Sequence, residues 1–332
     1  RARLERLALG TLGEEQAKTF IAEMRAIFTF VKTSFPKRVG TSDCPSHSMQ
    51  WGLGIDSGEP RPITDPDVRT VFSWLGKFRA VVPPQHRHIV DHAAEKVKIL
   101  MGHAVRTAVQ QQAIDSAWSE VKLCRAKCIV LADYKMKVDP SQHRETSTEH
   151  YAKRGISYHG VCVCYMNEAG EFTLRYFDTL VEGDSKQDIG ATIAIVEDLL
   201  YRLRAALPSH VTHFCFQSDN ARNYQNLALP LMLPVLASAS DWIVYRLLHS
   251  ETQDGKCIVD AHFQKVNRQI QKYINEMEHW TEAQRKACTA DQICTAIAHA
   301  GGLPGTDVVV LLLDTTARAL SSRTARELCA SI

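Results

Sequence analysis

The sequence lacks the features by which several large classes of protein are recognised. It has no run of about 18 apolar residues, so no membrane-spanning helix is predicted. It has no internal repeat and no low-complexity tract, which excludes a repeat array. Its net charge is only +2, so any contact with nucleic acid must depend on local groups of basic side chains. What remains is a chain of 332 residues, long enough for one or two domains with a full core.

The ten cysteines follow no regular metal-binding spacing. Cys162 and Cys164 occupy alternate positions of VCVCY, and Cys215 lies in HFCFQ, so all three are predicted to be small buried residues in a reducing compartment. A structural zinc site is the alternative, and its irregularly spaced candidates are Cys44, His47, His86, His88, His92, Cys124 and Cys128. Scattered surface histidines and core cysteines are the simpler interpretation of these residues.

Residues 1–122 are predicted to be helical. Apolar residues recur every three or four positions in EEQAKTFIAEMRAIFTFVKTSF, in DPDVRTVFSWLGKFRAVV and from His86 to about Lys122. A Gly-, Ser- and Pro-rich stretch from about Pro36 to Pro62 is typical of a loop. We expect this region to assist DNA binding or dimerisation.

From residue 123 the pattern changes to α/β. Three strands come first, KCIVLADYKMKV, GISYHGVCVCYM and FTLRYFDTLV, the last two joined by the turn NEAGE. A helix over about residues 187–207, the strand HFCFQSD, an apolar segment, the strand DWIVYRLLH and a helix over 256–277 follow. A final helix, the strand DVVVLLLD and a short terminal helix complete the chain. This order predicts a mixed five-stranded sheet flanked by helices, which is the ribonuclease-H-like order.

Three acids are predicted to converge at one end of this sheet. Asp133 lies at the end of the first strand, after IVLA, and Asp219 lies at the end of the fourth, after FCFQS, which is its neighbour in this fold. Asp260 lies near the start of the helix after the fifth strand, at the border of an apolar stripe that includes Val259 and Phe263. The simpler interpretation is that strand-end aspartates serve turns and caps.

Such a cluster suits phosphodiester chemistry. Displacement at phosphorus develops charge on the attacking and leaving oxygens, which two Mg²⁺ or Mn²⁺ ions about 3.5–4 Å apart stabilise. These hard cations prefer oxygen ligands, so Asp133, Asp219 and Asp260 are the candidate catalytic and metal-binding residues. Glu251 and Asp254 are rivals to Asp260, but they lie in a loop that would hold a ligand less rigidly.

Three segments carry a family resemblance. FQSDNARNYQN resembles the second-acid segment of ribonuclease-H-like transposases, and QDGKCIVDAHFQKVNRQIQKYI resembles the helix that carries their third acid. LADYKMK, followed by YAKRGISYHG, resembles transposon-encoded proteins of eukaryotes. The resemblance covers residues 127–278, and it departs from most such transposases in having Asp rather than Glu as the third acid. It implies a DDE/DDD transposase related to the retroviral integrase superfamily.

The resemblance implies two-metal cleavage and joining of DNA, with transposon ends and target DNA as partners, a possible homo-oligomer and a nuclear location. One alternative is a ribonuclease H or structure-specific nuclease without strand joining. In those enzymes an additional metal ligand would correspond to Asp188, and a mobile histidine to His249, although a helix cap and a loop histidine are the simpler interpretations. Another alternative is a domesticated protein that binds DNA without catalysis.

Basic residues near the acids are candidates for phosphate contacts. Lys135 and Lys137 follow Asp133, and Arg222 follows Asp219. The exposed side of the last acid-bearing helix and the segment before it add Lys256, Lys265, Arg268 and Lys272. A solvated charged face is the alternative for this helix.

Overall fold

The computed structural model of the protein describes residues 2–35, 66–142, 146–148, 154–182, 186–250, 258–276 and 286–313. The chain divides into two compact units, residues 1–112 and 113–332. The boundary between these units lies inside a long helix, Arg87–Leu123. The end of this helix belongs to the second unit because Ala117 and Val121 are fully buried in that unit's core. None of the described helices is long and apolar enough to cross a membrane.

The first unit is helical, as predicted from the apolar spacing. Its elements are α1 (Ala2–Thr11), α2 (Glu14–Thr29), which continues as a π turn (Phe30–Ser34), α3 (Pro66–Val81), a 3₁₀ turn (Pro84–His86) and the first part of α4 (Arg87–Leu123). Phe20, Trp74 and Phe78 form an aromatic group in its core. The predicted loop from Pro36 to Pro62 and the zinc candidates Cys44 and His47 lie outside the described residues.

The second unit contains a mixed sheet. Its strands are β1 (Lys127–Val138), β3 (Ile156–Met166), β4 (Phe172–Glu182), β5 (His213–Asp219), β6 (Ile243–Ser250) and β8 (Thr306–Leu312). Their order is β6-β5-β1-β3-β4-β8, with β3 antiparallel to β1 and β4 and the other neighbours parallel. Two short strands, β2 (Ser141–Gln142) and β7 (Lys286–Ala287), pair separately.

An α/β fold with a mixed, helix-flanked sheet is therefore confirmed, but the predicted number of five strands is wrong. The late strand DVVVLLLD, now β8, pairs in parallel with β4 from Tyr176–Thr306 to Glu182–Leu312. This pairing provides hydrogen-bond partners for the edge of β4 that a five-stranded sheet would leave open. The short helix predicted after β8 lies outside the described residues.

Helices cover both faces of the sheet. On one face α5 (Ile189–Ala206) and α6 (Ala228–Ala239) pack on the even-numbered residues of β1, such as Cys128 and Val130. On the other face α7 (Ile258–Glu276), α8 (Ala290–Ala298) and the end of α4 pack on Ile129 and Leu131. This alternation follows from the two-residue period of a strand. Cys162, Cys164 and Cys215 are fully buried in the second of these layers.

α7 packs tightly against the sheet at Gly160 of β3. A Cβ atom at this position would lie 2.4 Å from a ring carbon of Phe263 and 3.2 Å from a methyl group of Val259. Gly160 also pairs with Asp133 on one side and with Asp178 on the other. The missing side chain therefore lets the first turns of α7 lie directly on the row of residues that contains Asp133.

We predict that Gly160→Ala lowers the free energy of unfolding by about 1–3 kcal/mol, the usual cost of overpacking a core. The measurement is urea unfolding followed by tryptophan fluorescence. Phe263→Leu removes the ring atoms that the new methyl group would strike, so Gly160→Ala should cost less in that background. The same cost in both backgrounds would show that the contact between Gly160 and Phe263 does not determine how closely α7 approaches.

Candidate functional site

The three predicted acids come from three neighbouring elements of the second unit. Asp219 is the last residue of β5, and Asp260 lies in the first turn of α7. The sequence predicted Asp133 at the end of its strand, but β1 continues beyond it to Val138. The parallel pairing of β1 with β5 does end beside it, at Ala132–Ser218. Asp133 therefore stands where β1 extends beyond its parallel neighbour.

The carboxylates of these acids interact through their charges. Burial of Asp133, together with the negative charges of Asp219 and then Asp260, raises the pKa of the Asp133 carboxyl to about 7, although a hydrogen bond from the Tyr134 backbone opposes the shift. Clustered carboxylates disfavour one another's ionised form, so one of them retains its proton to a higher pH. The sheet and α7 thus bring Asp219 and Asp260 within electrostatic range of Asp133.

The acids do not form a preassembled metal cage. Among the residues that the structure describes, no three His, Cys, Asp or Glu side chains are grouped closely enough to hold a metal ion. This applies to the acid cluster and to the described zinc candidates, His86, His88, His92, Cys124 and Cys128. Asp133, Asp219 and Asp260 supply the oxygen donors that a hard cation prefers, and a cation would offset the repulsion that raises the pKa of Asp133.

The segment around Asp219 is held by local hydrogen bonds. Oδ1 of Asp219 accepts a hydrogen bond from the backbone N–H of Ala221 at 3.1 Å, which forms an Asx-type turn. The hydroxyl of Ser218 lies 2.9 Å from Nδ1 of His249, which belongs to β6 and not to a loop. Burial lowers the pKa of His249, while the backbone and the charge of Asp219 oppose that shift. His249 therefore lies beside the end of β5 and within electrostatic range of Asp219.

Tyr224 anchors the turn that follows Asp219. Its side chain is fully buried, and its hydroxyl lies 2.8 Å from Nε2 of His159 on β3. Burial, with a smaller contribution from Arg202, lowers the pKa of His159 to about 3, so that this ring is neutral. The aromatic residue in FQSDNARNYQN thus connects the Asp219 turn to the centre of the sheet and leaves Arg222 exposed within that turn.

The other residues singled out in the sequence have varied environments. The Lys135 ammonium donates a hydrogen bond to Asn267 of α7, and burial lowers its pKa, so it connects the sheet to α7. Asp188 caps α5 by accepting a hydrogen bond from Ala191 N at 3.1 Å. The candidate phosphate-binding residues that are exposed are Lys137 on β1, Arg222 in the turn after β5, and Lys265, Arg268 and Lys272 on α7. Lys256, Glu251 and Asp254 lie outside the described residues.

A buried His–Asp pair beside the site was not predicted from the sequence. Nε2 of His262 on α7 lies 2.7 Å from Oδ2 of Asp178 on β4, and both side chains are almost completely buried. The His262 ring stacks on Tyr176, with centroids 4.1 Å apart and planes 6° from parallel. An acid inside the apolar strand FDTLV was the available signal, because a buried carboxylate requires a partner.

Comparisons with protein-family models, with curated proteins and with solved structures found no match to this chain. Function is therefore inferred from the site itself. Its distinctive properties are a partly buried Asp133 carboxyl that feels the charges of Asp219 and Asp260, a buried Asp178–His262 pair that joins β4 to the acid-bearing helix, and exposed basic residues on or next to the same elements.

The raised pKa of Asp133 predicts a pH-dependent stability in the absence of divalent metal. The folded protein retains this proton up to about pH 7, whereas an aspartate of the unfolded chain loses it near about pH 3.9. The contribution of Asp133 to stability should therefore decrease as the pH rises from about 4 to about 7. Asp133→Asn removes this contribution, so the variant should gain stability relative to wild type over the same range.

The measurement is urea unfolding of wild type and Asp133→Asn at pH 5, 6, 7 and 8 with a chelator present. Asp241→Asn is the matched control, because Asp241 is exposed and its φ of 57° is one that Asn adopts readily. A constant difference between Asp133→Asn and wild type across the series would mean that Asp133 does not titrate in this range.

Proposed function

We propose that residues 113–332 form a ribonuclease-H-like nuclease domain of the transposase type, which cleaves and joins DNA strands with divalent metal. The observation that carries this proposal is the raised pKa of Asp133, caused by burial and by the charges of Asp219 and Asp260. Strongly perturbed carboxyls that gather from separate elements are typical of functional sites, because core packing alone gives no reason to collect like charges.

The sheet topology supports the proposal. Five of its strands lie in the order β6-β5-β1-β3-β4, and only β3 runs against the others. Numbered along the chain, these strands follow the ribonuclease-H-like order 5-4-1-2-3. The sixth strand, β8, extends the sheet beyond β4 and leaves the acid-bearing strands unchanged. Topology alone supports a fold and not a reaction, so the acids decide the function.

Asp133, Asp219 and Asp260 would hold the metal, which would supply electrostatic stabilisation of the oxygens that gain charge at phosphorus. The residues of the chain bind and orient the DNA. Arg222 lies three positions from Asp219, and Arg268 and Lys272 lie on the exposed side of α7, where they can meet backbone phosphates. Lys135 and Asn267 keep α7 against β1 and so fix where Asp260 stands relative to Asp133.

The reaction we propose has two steps with the same stereochemical requirement. Water attacks a phosphodiester of one strand and releases a 3′-hydroxyl, and that hydroxyl then attacks a phosphodiester of target DNA. Both steps form one P–O bond and break another, so the same site serves both. With electrostatic stabilisation of this kind, no dedicated protein base is required.

One observation favours a second candidate. The three acids are not close enough in this structure to act as a common ligand set, which is the arrangement expected of a domesticated protein that binds DNA without cutting it. A divalent cation distinguishes the two, because an active site should bind the ion and be stabilised by it, whereas an inactive one should not.

We predict that Mn²⁺ at millimolar concentration raises the melting temperature of wild type and that Asp219→Asn abolishes most of that rise. Ions that bind only the folded state stabilise it by mass action. Differential scanning calorimetry with and without Mn²⁺ measures the effect. An unchanged melting temperature in wild type would favour the inactive, DNA-binding candidate.

We further predict that the protein with Mn²⁺ nicks or joins labelled DNA and that Asp260→Ala removes this activity with little loss of stability. Glu251→Ala and Asp254→Ala are the matched controls, and both should retain activity within about tenfold, or about 1.4 kcal/mol of barrier. An active Asp260→Ala with an inactive Glu251→Ala would assign the third ligand to Glu251. Cleavage of only the RNA strand of a hybrid would assign the domain to the ribonucleases H.

A further inference from the structure

The helical unit contains an elongated cavity that the proposed nuclease does not use. Its volume is about 770 Å³, within the range of ligand-binding sites. One face of α4 forms its long side, from His88 to Leu100, and twelve residues of helix span about 18 Å. The end of α2, the π turn and α1 form the rest. We call this cavity the α4 groove, and its lining lies entirely within residues 1–112.

The floor of the α4 groove is apolar. It is formed by the side chains of Leu4, Phe28, Ile89, Ala93, Val97 and Leu100. Leu4 and Val97 belong to the buried core, whereas Phe28, Ile89 and Leu100 remain partly exposed. Apolar side chains that line a concave surface in this way mark a place where another apolar surface binds.

Every ionisable side chain on the described rim of the α4 groove is a base. All five ionisable side chains that line it are basic or histidine, namely Arg3, Lys32, His88, His92 and Lys96. None of the described lining residues is acidic. All five are exposed, so the rim presents positive charge to a ligand on the floor. Lys32 and Thr33 are supplied by the π turn, a wider form of helix that is frequent at functional sites.

We infer that the α4 groove binds an acidic amphipathic helix of a partner protein. A partner helix whose apolar side chains recur every three or four residues presents three or four of them along about 18 Å, which matches the length of the apolar floor. Acidic residues beside that stripe would face the basic rim. A bilayer surface is a poorer match for the same chemistry, because a flat membrane does not reach the floor of a concave groove.

The probe is a designed peptide of leucine and glutamate in which leucines recur at helical spacing. A control peptide has every glutamate replaced by lysine. Isothermal titration calorimetry with the full chain should give saturable binding of the glutamate peptide and at least about tenfold weaker binding of the lysine control peptide. No binding of the glutamate peptide, or equal binding of both peptides, would overturn the inference.

Two variants locate the site. Ala93→Trp fills the floor, and Lys32→Glu combined with Lys96→Glu reverses two charges of the rim, so each should weaken binding of the glutamate peptide by about tenfold or more. Lys98→Glu is the matched control, because Lys98 is exposed on the same helix but does not line the groove. Circular dichroism confirms folding of each variant. Equal binding by the rim variant and wild type would overturn the inference.

Two further measurements separate other occupants. Binding to vesicles of phosphatidylcholine and phosphatidylserine that the rim variant loses, with no peptide binding, would assign the groove to a membrane surface and overturn the inference. A concentration-dependent dimer that Ala93→Trp abolishes, measured by analytical ultracentrifugation, would assign it to a second copy of the chain and also overturn it. These tests use no metal and no DNA, so their outcome is independent of the proposed nuclease.

Discussion

The close packing of α7 on the sheet is the constraint on which the candidate site depends. Gly160 permits it, because any larger residue would meet the Phe263 ring. Two polar contacts then fix the helix on either side of this point. His262 meets Asp178 on β4, and Asn267 accepts from Lys135 on β1. With the helix held at three positions, Asp260 in its first turn has little freedom relative to Asp133.

The cost of this arrangement is electrostatic. Burial of Asp133, together with the charges of Asp219 and then Asp260, raises the pKa of Asp133 and disfavours its ionised form. Core packing gives no reason to collect such acids. A site completed by a cation and a polyanion, as we propose, would account for them. The same reasoning distinguishes this cluster from the Asp178–His262 pair, in which a buried acid has its own partner.

The two units of the chain present different surfaces for binding. The second unit carries three acids, with exposed Lys and Arg on or next to the same elements, and this combination would suit a phosphate backbone. The first unit carries an apolar floor with a basic rim, which suits a folded acidic segment of a protein. Because each surface lies within one compact unit, each can be altered and tested without changing the other.

The sequence alone determined the helical first unit, the strands of the sheet and the positions of the three acids along the chain. These features depend on apolar periodicity and on turn residues, which are local. It did not determine that β8 joins the sheet. Pairing with β4, a distant strand, decides this, and local patterns contain no information about the partner.

Only the tertiary structure revealed the contact at Gly160, the Asp178–His262 pair and the hydrogen bond from Lys135 to Asn267. Asp178 and His262 are 84 residues apart in the chain, and Lys135 and Asn267 are 132 apart. Their contacts depend on the distance and angle at which α7 crosses the sheet. That geometry is set by the packing of many side chains at once, so the pKa of Asp133 could not be derived from the sequence.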